Sequence, residues 1–237
     1  MARTRRIHYP GLIYHVINRG NNRQMIFFED ADYQLYLNLL YRYKKKYQFK
    51  LFCYCLMANH IHLLIKVGEK GNISQIMQAI TNAHTRHYHF KYHTSGHVWQ
   101  GRFKSPIIGD DQYLLTVMQY IEQNPIRAGM VRQSSDYRWS SYHDNICDEP
   151  SRLIDREENP AYAALDPAPR ARPKEYQKIF TSDLNENKLA DIKRSIEQSG
   201  NYMGECFLNQ INEWLSPKRK RGRPRKVYLK NNEFSRK

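Results

Sequence analysis

Residues 12–19 (LIYHVINR) have the β-branched and aromatic character of a strand and stop at Gly20-Asn21-Asn22, a turn signal. Residues 30–47 follow a different rhythm. Tyr33, Tyr36, Leu37, Leu40 and Tyr41 recur at helical spacing behind Asp30, which can cap the first turn. Residues 49–57 and 60–67 predict a second and a third strand. A further helix opens at Asn72-Ile73-Ser74, carries Ile76, Met77, Ile80 and Ala83, and runs toward Tyr92 before Thr94-Ser95-Gly96 breaks it. Residues 98–108 (VWQGRFKSPII) predict a fourth strand, and Asp110-Asp111 caps a helix that ends near Asn124-Pro125. The order β-α-β-β-α-β-α predicts an α+β fold. Its core is a ferredoxin-like antiparallel sheet with helices on one face, and the other face is left for a site.

Past this core the composition changes. Asp, Glu, Pro and Ala dominate residues 147–173, which predicts a surface linker. Short helices are expected at 174–180, 184–198 and 204–215, with a helix-turn-helix across Gly200 as one arrangement. The organisation is therefore a core domain over 1–146, a linker over 147–173, a small helical region over 174–216 and a basic tail over 217–237.

Charge narrows the function. The chain has 237 residues, 38 Lys and Arg against 23 Asp and Glu, and a formal charge of +15, which points to a polyanion. Between residues 1 and 109 the acids are Glu29, Asp30, Asp32 and Glu69 alone, so the core is itself basic. The 18 tyrosines add faces on which bases can stack. No apolar run approaches the roughly 20 residues of a membrane span, and the basic N-terminus leads into no signal-peptide segment. A soluble, cytoplasmic protein with a nucleic-acid partner and no membrane is expected. Cys53, Cys55, Cys147 and Cys206 form no CxxC pair, and Cys53 and Cys55 read as small core residues.

Two motifs carry chemistry. Strand alternation puts His60, His62, Leu64 and Lys66 on one face and Ile61, Leu63, Ile65 and Val67 on the other. The aliphatic set must meet the helices, so both imidazoles project to the opposite face, where two neutral rings can bind a divalent ion. A third ligand must come from elsewhere; the plainer reading is two hydrogen-bonded surface histidines. His84, His87, His89, His93 and His97 form a second cluster, read as a basic aromatic helix face or as a metal site. In the helix over 110–124, Leu114, Leu115, Val117, Met118 and Ile121 define the buried side. Tyr113, Tyr120 and Asn124 lie on its flank, with Tyr120 and Asn124 one turn apart. The plainer reading of Tyr120 is an amphipathic-helix tyrosine, and Gln123 competes with Asn124 as an amide ligand.

The stretches PGLIYHVINRGNNRQMIF, YCLMANHIHLLI, HVWQGRFKS and YLLTVMQYIEQNPIRAGMV, in this order and spacing over most of residues 8–131, resemble the REP-associated tyrosine transposases. These are the bacterial branch of the single-tyrosine HUH transposases. The resemblance implies a ferredoxin-like sheet, His60 and His62 as metal ligands with Asn124 as the third, and Mg²⁺ or Mn²⁺ as the ion. It implies Tyr120 as the nucleophile, attacking DNA to leave a 5′-phosphotyrosine and a free 3′-hydroxyl. It also implies single-stranded hairpin DNA as substrate, a nucleoid-associated location, and a monomer or weak dimer. Arg3, Arg5, Arg6, Arg19, Asn21, Asn22 and Arg102 then become candidates for DNA contact, with Trp99 and Phe103 as stacking or core residues. The Lys44-Lys45-Lys46 run reads as a solvated helix end. Arg221, Arg223 and Arg225 in RGRPRK form an AT-hook-like core suited to a narrow minor groove. A DNA-binding protein without catalysis and a metal-dependent hydrolase without a covalent step remain as alternatives.

Overall fold

The computed structural model describes residues 9–69, 71–147, 151–181 and 184–197. Four strands, β1 (Ile13–Arg19), β2 (Lys50–Met57), β3 (His60–Lys66) and β4 (Ile107–Ile108), form one sheet in the order β2-β3-β1-β4. Every pairing is antiparallel. This is the predicted α+β arrangement. The helices that connect the strands are α1 (Asp30–Tyr47) and α2 (Ile73–Tyr92); α3 (Asp111–Glu122) follows β4.

Local chemistry sets the helix ends. The Asp32 carboxylate accepts from the backbone N–H of Phe28 at 2.8 Å, which holds the first turn of α1. The N-cap of α1 is Glu29, one residue before the expected Asp30. Asn72 caps α2 by accepting from Ser74 and Gln75, and Asp110 caps α3 by accepting from Tyr113 N. These bonds satisfy N–H groups that a helix start leaves without partners.

The predicted fourth strand is mostly absent as regular structure. Residues 98–106 do follow β1, through His15 N to Pro106 O, Ile17 N to Lys104 O and Asn21 N to Val98 O. Gly101 turns with φ +63, however, and Pro106 has no N–H to donate, so only Ile107–Ile108 extends the ladder. Gly20 is required at this edge: a Cβ there would sit 2.2 Å from the Gln24 carbonyl oxygen.

The two faces of the sheet carry different loads. On the face of Tyr54, a 550 Å³ groove is lined by Gln34, Leu37, Asn38 and Tyr41 of α1, which packs beside α2. On the face of Cys53, the thiol points to the Met118 carbonyl of α3 at 3.8 Å. The helices α1 and α2 thus take one face, and α3 lies across the other. Both Cys53 and Cys55 are buried, as their apolar setting predicts.

The acidic segment after the core is not the solvated linker its composition suggests. It follows α5 (Tyr142–Ile146), contains α6 (Pro160–Ala163) and runs into α7 (Arg172–Thr181), with α8 (Glu186–Glu197) after it. Ile154, Arg156, Asn159 and Tyr162 are buried. The outer edge of β2 is covered by Leu56 N to Trp139 O, Ser141 N to Tyr54 O and Asp155 N to Leu51 O. An open edge would leave these groups for another chain. Lys44 is likewise not solvated: it donates to Leu153 O at 2.7 Å and pairs with Asp155 at 2.8 Å. The expected helix over 204–215, Cys206 and the basic tail lie outside the described residues.

Candidate active site

Antiparallel pairing sets Arg19 opposite His60, Ile17 opposite His62 and His15 opposite Leu64. Opposed residues share a face, so His15, Arg19, His60 and His62 belong to one side of the sheet. This is the side that β3 alternation predicts for the two imidazoles. It is not open, because α3 covers it. His62 is 4% exposed and His15 1%.

Each ring of the pair has one nitrogen engaged. His60 Nδ1 lies 2.6 Å from Asn59 Oδ1, and His62 Nδ1 lies 2.9 Å from His15 Nε2. Among the described residues neither Nε2 has a hydrogen-bond partner. The His60 and His62 ring centroids are 5.1 Å apart. Tyr120, 8% exposed, stands edge-on to both buried histidines, at 5.9 Å from His62 and 6.0 Å from His15. Its flank position on α3 was readable from helical spacing; its burial against His15 was not.

Burial sets the electrostatics. It pushes His60 down to about 4, with the Arg19 charge adding to the effect. Burial, then His60, His15 and Arg19, hold His62 well below the usual imidazole range. Burial takes His15 down to about 3. The three rings are neutral at pH 7. Burial raises the Tyr120 phenol, and the positive charges of Arg127 and Arg19 oppose that rise. The Arg127 guanidinium lies 5.2 Å from the Tyr120 ring centroid and donates to Tyr120 O at 3.2 Å.

The amides divide. Asn124 starts the short helix α4 (Asn124–Arg127), and its Nδ2 donates back to Tyr120 O at 2.8 Å and Ile121 O at 3.3 Å. It adjoins Tyr120 as the spacing predicts, but no contact joins it to either imidazole. Gln123 is occupied elsewhere: it donates to Phe180 O at 3.1 Å and accepts from Arg127 at 2.7 Å. Two neutral imidazoles with idle Nε2 atoms suit a divalent cation that takes mixed nitrogen and oxygen ligands. Among the described residues no group of three His, Cys, Asp or Glu side chains is placed to hold a metal ion, so the remaining ligands must be amide, water or substrate oxygens.

Arg19 borders this centre, opposite His60, and the remaining predicted residues take other places. Arg19, Asn21, Asn22 and Arg102 are exposed along the β1 end and the adjoining loop. Arg3, Arg5, Arg6, Arg221, Arg223 and Arg225 lie outside the described residues. Of the α2 histidines, His84 is buried, packed on Phe27, Tyr36 and Trp99 at 5.2 to 5.4 Å. His89 binds Thr94 Oγ1 and Gly96 O at the helix end. The cluster is therefore neither one exposed face nor a ligand set among the described residues. Trp99 turns into this core, and Phe103 is partly buried against it.

A family model for IS200-like transposases matches residues 8–124. The core is similar to an IS200-like transposase domain. A protein named as a REP-associated tyrosine transposase in Haemophilus influenzae is 32% identical to it over 111 residues, 42% of this chain. That match spans 62% of the relative's own length. The REP-associated tyrosine transposase of Escherichia coli K12 is 23% identical over 137 residues, covering 57% of this chain and 79% of that protein. A solved REP-associated tyrosine transposase bound to a REP hairpin shares the fold, with TM-score 0.52 and 22% identity over 62% of this chain and 86% of that one. Strand β1 supplies His15 and the short helix α4 supplies Arg127, two residues that sequence reading passed over. His15 needed the strand register, and Arg127 needed the break between α3 and α4 at Gln123. No described helix is long and apolar enough to cross a membrane.

Proposed function

We propose that the IS200-like domain makes this protein a metal-dependent single-stranded DNA endonuclease and strand transferase, acting on hairpin-forming, REP-like repeats through a 5′-phosphotyrosine at Tyr120. The carrying observation is the Tyr120 ring standing 5.9 Å from His62 on the face that also bears His60. The names of the two curated relatives and the hairpin held by the structural neighbour support the substrate class.

His60 and His62, with Asn124 as third ligand, would hold the ion. Bound Mg²⁺ or Mn²⁺ would neutralise charge on a non-bridging phosphate oxygen and polarise phosphorus. The chain's own residues do the rest. Tyr120 Oη bonds to phosphorus as the P–O3′ bond breaks, and the departing oxygen takes up a proton to become a 3′-hydroxyl. One ester replaces another, so the protein-bound phosphate keeps the energy needed to join a second strand. The phenol must lose its proton, and Arg127 and Arg19 oppose the effect of burial on that loss. Arg19, Asn21, Asn22 and Arg102, exposed beside the site, offer forked and amide donors to phosphates and base edges.

The test is trapping of a protein–DNA adduct with a hairpin oligonucleotide and Mg²⁺. The adduct should form in the wild type, vanish in Tyr120→Phe and be lost in His62→Ala. Cleavage without adduct would identify a hydrolase, and binding without cleavage a regulator.

A further inference from the structure

We propose that His15 is a positioning residue that fixes the tautomer of His62, keeping the hydrogen on Nδ1 so that Nε2 is the ligating nitrogen. The inference rests on the two-imidazole site above and adds a residue that its motif does not contain.

The argument is a count of hydrogens. A neutral imidazole carries one N–H and one lone pair. A single hydrogen occupies the 2.9 Å contact between His15 Nε2 and His62 Nδ1. If His15 supplies it, the hydrogen of His62 must sit on Nε2, and that nitrogen has no lone pair for a cation. If His62 supplies it, Nε2 is free to ligate, and His15 accepts with its own hydrogen on Nδ1. His60 is already in the ligating form, because Asn59 Oδ1 at 2.6 Å only accepts and so requires N–H at His60 Nδ1. A matched pair therefore needs His15 as acceptor.

The structure holds His15 firmly enough for this task. Its backbone N–H bonds Pro106 O at 3.0 Å, and β3 flanks it on the other side. Its ring centroid is 5.2 Å from that of His62 and 6.0 Å from that of Tyr120, so one residue braces both a ligand and the nucleophile. The partner behind a metal-bound histidine is commonly a carboxylate or a carbonyl, which raises ligand basicity. A neutral imidazole does so less, so a modestly held, exchangeable ion is expected.

The experiment uses the full chain. Long-range ¹⁵N–¹H NMR on the metal-free protein should find His62 hydrogenated at Nδ1. Mn²⁺ titration followed by EPR should give an affinity reduced roughly 10–100-fold in His15→Phe. His15→Gln, whose amide oxygen can accept, should restore most of it. Wild-type His62 with hydrogen on Nε2, or Mn²⁺ binding in His15→Phe within about twofold of wild type, would overturn the proposal. A wild type that binds no Mn²⁺ while showing the expected tautomer would overturn the two-imidazole reading instead.

Discussion

His62 and His84 are both buried histidines, each with one nitrogen engaged and one idle, on opposite sides of the same sheet. His84 hydrogen-bonds the Ile26 backbone, and its Nδ1 has no partner. Around it sit the rings of Phe27, Tyr36 and Trp99, and the Tyr36 hydroxyl and Trp99 Nε1 also lack partners among the described residues. His62 instead adjoins a second imidazole, a phenol and, through His60, an arginine at the strand end. Burial holds both rings neutral. Depressed basicity therefore does not distinguish the candidate site from an aromatic core. The distinction is chemical variety around the idle nitrogen.

The contrast breaks most sharply at the phenols. Tyr120→Phe should lower adduct formation by at least about 1,000-fold, the scale of losing a nucleophile, with thermal unfolding unchanged within a few degrees. Next comes Glu122, the buried carboxylate that ties α3 down. It is fully buried and accepts from Ser141 at 2.6 Å, Asn145 at 2.7 Å and Tyr176 at 2.8 Å. Glu122→Ala strands these donors and should cost about 3 kcal/mol in urea unfolding.

Acid should then act through the buried histidines. Burial pushes His84 from 6.5 to about 4, so it stays neutral in the fold while the unfolded chain binds a proton below 6.5. Its stabilising contribution is complete above that value and is lost as pH falls toward 4, with a slope of up to about 1.4 kcal/mol per pH unit. Urea midpoints between pH 7 and 5 should fall, and His84→Phe should flatten the fall.

Arg127→Ala should reduce adduct rate about tenfold at pH 7.5 or so, since one charge near a developing anion is worth about that much. Because Arg127 lowers the Tyr120 pKa, its removal should move the rising limb of the pH–rate profile to higher pH. The smallest effect is expected at Tyr36→Phe. Its hydroxyl bonds nothing among the described residues, so stability should change by less than about 1 kcal/mol and adduct yield should be preserved.

Much of this contrast was legible in the chain. Periodicity located α1, α2 and α3 to within a few residues, because their apolar faces are regular and their caps are Asp, Glu or Asn. Alternation separated His60 and His62 from the aliphatic side of β3. The fourth strand was overread because Gly101 and Pro106 interrupt a sequence of strand-like composition. His15 became visible only with the β1–β3 register, a property of two strands that neither carries alone. The acidic segment misled for another reason: its polar groups find partners within the segment and on the core it packs against. Arg156 donates to Asp144 O at 2.6 Å, and Asn159 Oδ1 accepts from Ala161 and Tyr162. Composition reports polarity but not whether a polar group has been matched.

The hooks between α3 and α7 bear on where the working unit ends. Gln119 and Gln123 both donate to the Phe180 carbonyl, and Tyr176 supplies a hydroxyl to Glu122. The family match stops at residue 124. A chain trimmed there would keep His15, His60, His62, Tyr120 and Asn124 and lose the clamp behind α3. Transplanting the candidate site to another protein therefore means carrying the stretch through Thr181 along with it.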